Sequence, residues 1–288
     1  MNELYKETQF ILNKYKISAN KKLGQNFLIN EEVVQNIIDS SNITENDLVI
    51  EIGPGLGTLT KEILNKAGKL ICVELDTKMI KILNDRFSLY KNFELLNQDI
   101  LKTDLKTIIH NEKKNNNMKT AKIIANLPYY ITTPIIMKLL EEKLDLESIT
   151  VMVQKEVAER LIAVPGPKEK NTGAISYTVL YYASSQKIME VDKESFIPAP
   201  EVQSEVIKLD IRKGPIVKVK NPEYMFKIIK FAFMQRRKTL LNSLTNANIF
   251  KNKEEGIKIL EEIGLSENVR AENLSIEDFA KIADLNFV

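Results

Sequence analysis

Leu48-Val49-Ile50-Glu51-Ile52 is a short apolar run that ends in Gly53-Pro54-Gly55-Leu56-Gly57, and a helical pattern begins directly behind it. A strand that feeds a helix through such a turn commits the chain to a βα unit. Glycine is needed there because it turns tightly and lets a ligand approach the backbone without a Cβ in the way. Leu59, Ile63 and Ala67 recur at helical spacing, and Gly68 is placed to end that helix. The unit then repeats. Lys69 to Leu75 reads as a second strand, and Asp76 caps a helix whose apolar face is Met79, Ile80, Leu83 and Phe87. Phe93–Leu96, Lys122–Ala125 and Ile149–Val153 read as three more strands, with a helix from about Pro134 between the last two. Such alternation predicts an α/β fold, a parallel sheet covered by helices.

Polar residues end these strands in register. Glu74 closes the second strand, 21 residues after Gly53; Asp99 closes the third and Asn126 the fourth. In an open α/β sheet that edge is the ligand crevice, and a carboxylate at Glu74 can accept both hydrogen bonds of a ribose diol. Taken singly, each of these residues also reads as a turn former or helix cap. The loop spacing is Gly-x-Gly-x-Gly, whereas a dinucleotide fingerprint wants its third glycine where Thr58 stands.

Asn126-Leu127-Pro128-Tyr129 follows the fourth strand. Pro128 stops the strand and fixes the local backbone. The Asn126 amide oxygen and the Leu127 carbonyl are then two acceptors beside the Tyr129 ring. A flat base bearing an exocyclic amine fits this set: two acceptors for its two N–H groups and a ring to stack on. The acceptors favour the localised lone pair on that nitrogen and prepare it to attack an electrophilic methyl group. Asn126 is no strong base, and none is needed, because the cationic product amine loses its proton to water. One His and one Cys in 288 residues exclude an intrachain disulfide and a His/Cys zinc cluster, and no metal is expected. Any His- or Cys-based nucleophile would rest on His110 or Cys72 alone. Cys72 reads as an inert core thiol, His110 as exposed before the polar stretch Asn111 to Lys119, itself read as a loop.

The sequence resembles the ribosomal RNA adenine dimethyltransferases. The segments that carry this are Lys21-Lys22-Leu23-Gly24-Gln25-Asn26-Phe27-Leu28, Glu51 to Gly57, Asn126 to Tyr129, Val153 to Leu161, Phe196-Ile197-Pro198-Ala199-Pro200 and Arg236-Arg237-Lys238. The resemblance implies a Rossmann-like methyltransferase sheet with helices on both faces and a small all-α C-terminal domain. It implies S-adenosylmethionine as donor and two adjacent adenines near the 3′ end of 16S rRNA, within an immature 30S subunit, as acceptors, each dimethylated at N6. By position, Asn26, Leu28, Gly53 and Gly55 line the donor site, Glu74 binds the ribose, Asp99 the donor's adenine amine, and Asn126 sits between donor and target. Phe196 stacks on the target base opposite Tyr129; without the resemblance it reads as a core residue. Tyr130, Glu201 and Gln203 depart from the common pattern at the rim. The alternatives are a 23S rRNA dimethyltransferase of the macrolide-resistance type, an assembly factor that kept the fold, and, disfavoured by Thr58, an NAD-dependent dehydrogenase.

A domain boundary is expected at 215/216, near Lys213-Gly214-Pro215, with Asn221 capping a helix that has Pro222 at its first turn. Lys and Arg total 41 against 39 Asp and Glu, a net of +2 that conceals a dipole. From Lys213 to Lys238 there are eight basic residues against one acid; from Thr239 to Val288, five against nine. On a helical projection Arg236 falls among Ile229, Phe233 and Leu240 and is expected to be structural, whereas Lys227, Lys230, Arg237 and Lys238 face solvent or RNA phosphates. No apolar run approaches the ~20 residues of a membrane span, and the first residues lack a leader-like apolar stretch, so a cytoplasmic location is expected; a monomer is expected as well.

Overall fold

The computed structural model describes residues 3–19, 24–167, 169, 171–235 and 237–287. Its chain divides into two compact units, Met1–Ala158 with Ser185–Ile211, and Glu159–Ser184 with Arg212–Val288.

The first unit opens with helix α1 (Glu3–Tyr15), the two-residue strand β1 (Phe27–Leu28) and α2 (Glu31–Ser40). Asn30 caps α2 by accepting from the Glu32 amide, and Val33, Val34, Ile37 and Ile38 are its buried face. Five strands follow in the expected rhythm: β2 (Asp47–Ile52), β3 (Lys69–Glu74), β4 (Phe93–Asn97), β5 (Thr120–Asn126) and β6 (Ser148–Gln154). The helices between them are α3 (Thr58–Leu64), α4 (Thr77–Phe87), α5 (Leu105–Asn115) and α6 (Thr132–Glu141). Helix α5 runs through Asn115, so the polar stretch read as a loop from Asn111 is helical at its start. Asp104 caps it, and Lys113 pairs with Asp145 at 2.6 Å; charged side chains make a solvated helix face as readily as a loop.

The seven-stranded sheet has the order β4-β3-β2-β5-β6-β9-β7, with β7 (Ala183–Val191) and β9 (Ser204–Ile211) at one end. The first five strands are parallel, and β9 joins β6 antiparallel, Gln154 opposite Ser204 and Ser148 opposite Asp210. Helices cover both sides. A separate ribbon pairs β1 with β8 (Phe196–Ile197), Leu28 opposite Phe196.

The two edges of the parallel sheet are built differently. At the starts of the strands, buried Lys122 Nζ reaches Asp47 at 2.9 Å, Glu147 at 3.3 Å and the Asn42 carbonyl at 2.5 Å. Pairing and hydrogen bonding on several sides is what lets an ammonium group stay there. At the strand ends, strand order reverses on either side of β2, which opens a crevice above β2 and β5.

Helix α7 (Lys155–Ile162) follows β6, and in the second unit α8 (Ala174–Tyr182) packs with α9 (Pro222–Met234), α10 (Leu240–Asn246), α11 (Lys253–Glu262) and α12 (Ile276–Asn286). Asn221 caps α9 as its spacing predicts. The buried Tyr177 hydroxyl donates to the Ala271 and Leu274 carbonyls at 3.1 and 2.7 Å, and its ring meets Phe279 edge-on at 5.0 Å. The chain passes into the second unit at Glu159 and again at Arg212. The earlier excursion, Glu159–Ser184, belongs to the helical unit. Helix α8 is buried nearly all round, so no polar face marks which core it enters.

Candidate active site

Asn26, Leu28, Gly53, Gly55, Glu74, Asp99, Asn126, Leu127, Pro128 and Tyr129 all line one cleft at the carboxyl ends of β2 to β5. The glycine loop forms its floor. Gly53, Gly55 and Gly57 have φ of +65°, +57° and +84°, the left-handed region. Their reasons differ. A Cβ on Gly57 would lie 2.4 Å from the Phe87 ring, so that glycine is demanded by the core. A Cβ on Gly53 or Gly55 would meet only Pro128 at 4.0 Å or Phe27 at 3.7 Å, so those two leave backbone open to the cleft.

Two carboxyl groups stand beneath this loop. Glu74 Oε1 accepts from the Leu75 and Asp76 amides, each at 2.8 Å, and Oε2 from Gly55 at 3.3 Å. Burial pushes its pKa up against the pull of those amides. Glu51, 1% exposed, also lines the cleft; its Oε2 accepts from Thr60 at 2.6 Å and Cys72 at 3.4 Å. Burial, with the Glu74 charge adding to it, pushes Glu51 up to about 7. Neither has a basic partner among the described residues, so the floor favours a cationic ligand. The glycine motif contains Glu51 without indicating a role for it; its position at a strand end was the available signal.

Asp99 Oδ1 accepts from the Leu101 amide at 2.9 Å, which leaves Oδ2 for a ligand donor. Leu75, exposed, adds an apolar side chain to the cleft lining. Asn126 Nδ2 donates to the Asn26 carbonyl at 3.3 Å. That bond sets the amide's orientation and leaves its oxygen free as an acceptor. The Leu127 amide donates to Met152 at 3.1 Å, while its carbonyl accepts nothing among the described residues. Tyr129 is half-buried, with its hydroxyl 2.6 Å from Ser204 Oγ.

Phe196 is placed elsewhere. It is 3% exposed, packed in the core beside Phe27 and Leu28, and is not part of the cleft wall. In this conformation its ring offers no face to a base. Lys227, Lys230, Arg237 and Lys238 are all exposed in the helical unit. Arg236 and the segment Lys21–Leu23 lie outside the described residues. Cys72 is fully buried and His110 exposed. Among the described residues there is no metal-holding cluster of His, Cys, Asp and Glu, and no helix long and apolar enough to cross a membrane.

The sequence profile of the family described as "Ribosomal RNA adenine dimethylase" matches residues 16–286. Proteins named "Ribosomal RNA small subunit methyltransferase A" from Alkaliphilus oremlandii and Clostridium botulinum are 43% and 46% identical over 279 and 277 residues, covering 97% and 96% of this chain and 96% and 97% of theirs. The crystal structure of a dimethyladenosine transferase from Plasmodium falciparum aligns with a TM-score of 0.73 at 28% identity, over 89% of this chain and 95% of that one. The 23S rRNA methyltransferase ErmE aligns at 0.66 and 20% identity over 90% and 98%, a likeness of fold.

Proposed function

The chain belongs to the ribosomal RNA adenine dimethylase family, a family of S-adenosylmethionine-dependent methyltransferases, and from that premise we propose that it dimethylates N6 of two adjacent adenines near the 3′ end of 16S rRNA. The substrate is the immature 30S subunit and the enzyme works as a cytoplasmic monomer. The observation that carries the reading is the cleft itself, where an oriented acceptor pair stands beside a floor suited to a cationic nucleotide-like donor.

Asn26, Leu28, Gly53, Gly55, Glu74 and Asp99 fit S-adenosylmethionine. Glu74 takes the ribose hydroxyls, the free Asp99 oxygen takes the adenine amine, and Leu28 with the exposed glycine backbone encloses the rest. When bound, this donor supplies a methyl group on a positively charged sulfur, and the Glu51–Glu74 floor matches that charge. Asn126 Oδ1 and the Leu127 carbonyl accept the target amine's N–H groups, which directs the nitrogen lone pair toward the methyl carbon. The N–C bond forms as the C–S bond breaks, and the product amine releases its proton to water. Tyr129 stacks on the base from one side. Phe196 takes the other side only after the β1–β8 ribbon shifts, since its ring is now buried. Catalysis in this arrangement is alignment rather than acid–base work. Lys227, Lys230, Arg237 and Lys238 hold RNA phosphates.

Incubating the protein with labelled donor and immature small subunits, then mapping the modified adenines, tests the reading. Asn126→Ala is expected to lower transfer by about 10²-fold or more, with donor and particle binding within a few-fold of wild type. Dimethylation retained in that variant removes Asn126 from the chemistry. Modification confined to large-subunit RNA supports the macrolide-resistance alternative instead.

A further inference from the structure

The two tyrosines after Pro128 enter different surroundings through the 3-10 turn Tyr129–Ile131. Tyr129 turns inward to Ser204. Tyr130 keeps 55% of its surface exposed, yet it lines the same cleft. Its hydroxyl has no hydrogen bond among the described residues, so neither packing nor a polar tether explains an aromatic ring at this place. The ring is nonetheless backed. Its Cδ1 lies 3.4 Å and its Cε1 3.9 Å from where a Cβ on Gly24 would stand, and Gly24 itself has φ of +61°. One part of the ring thus rests on backbone, and the rest opens at the cleft rim beside Asn26, Asn126 and Tyr129.

A base can reach Asn126 only after leaving its own stack, and its departure bares the face of the neighbouring base. On this ground we infer that Tyr130 is the platform on which the nucleotide next to the target adenine stacks, which makes it a specificity-determining residue for the RNA around the modified base. The inference rests on the acceptor assigned above. While one adenine occupies the Asn126–Tyr129 slot, the neighbouring base caps Tyr130. Stacking one base on an aromatic side chain changes affinity by about five- to 150-fold, and a purine covers more of the ring than a pyrimidine does.

The test measures transfer to immature small subunits and donor affinity for wild type, Tyr130→Ala and Tyr130→Phe. The alanine variant is expected to raise KM for the particle about tenfold, with kcat and donor affinity within twofold; phenylalanine is expected to restore KM. Replacing the neighbouring adenine by uridine should raise KM for the wild type and add little in Tyr130→Ala, because the two changes remove the same stacking interaction. An unchanged KM in Tyr130→Ala, additive penalties, or a loss confined to donor affinity overturns the stacking role while leaving the methyltransferase reading intact. A wild-type protein that methylates no adenine pair overturns both.

Discussion

Glu51 is a buried carboxyl whose partners are a hydroxyl and a thiol, and its pKa stands about 7 against an ordinary 4.5. The folded state therefore binds a proton that the unfolded state has already released between these values. Stability from this group is fully present below pH about 4.5, falls as pH rises to about 7, and is flat above; the span is of the order of 3 kcal/mol. Glu51→Gln keeps the shape and the acceptor oxygen. It is expected to flatten the fall in urea midpoint between pH 5 and 8 measured without donor, and an unchanged slope would assign that fall to other groups. Residue identity alone did not separate the loop glycines either. Gly53 and Gly57 look equivalent in sequence, yet only Gly57 faces the Phe87 ring, which lies 2.4 Å from where its Cβ would stand, because α4 returns across the loop.

The parallel strands and their helices were readable because each repeats a local rule: an apolar run, a polar residue at its end, a cap, an amphipathic face. Asp76 and Asn221 cap as their spacing implies. The elements that escaped reading hold their place through partners distant in sequence. Strand β1 is two residues long and exists through pairing with β8, more than 160 positions away. Helix α1 is another case. Arg86, near the end of α4, donates to both Glu7 of α1 and the Leu56 carbonyl in the glycine loop. Arg86→Ala is expected to cost about 1–3 kcal/mol and to free α1 from the loop, read as a lower urea midpoint and faster proteolytic cleavage within residues 3–15. Unchanged cleavage would mean that α1 is seated without Arg86, by the packing of Ile11 and its neighbours and by the Leu4–Glu31, Tyr15–Asp85 and Glu7–Lys61 contacts.

For the whole molecule, a net charge of +2 says little, because a basic α9 and its C-terminal flank are offset by acidic helices behind them. Removing the charges of Lys227, Lys230, Arg237 and Lys238 is expected to weaken particle binding and to make its log–log salt dependence shallower by roughly 0.7–0.9 for each phosphate no longer neutralised. A slope equal to wild type means that these residues are only a solvated face. That Gly53, Glu74, Asp99 and Asn126 share one cleft was legible from sequence because in a parallel sheet every strand end opens on the same crevice, and local alternation sets where strands end. Sequence also excluded an intrachain disulfide and a His/Cys zinc cluster, because one His and one Cys cannot supply either. Tertiary structure alone decided that residues 159–184 join the helical core, that Phe196 is buried against Leu28, that Tyr130 is held at the rim, and that Glu51 shares its charge environment with Glu74. Each of these depends on which distant surface a side chain meets, and burial and field strength arise only when the chain has closed on itself.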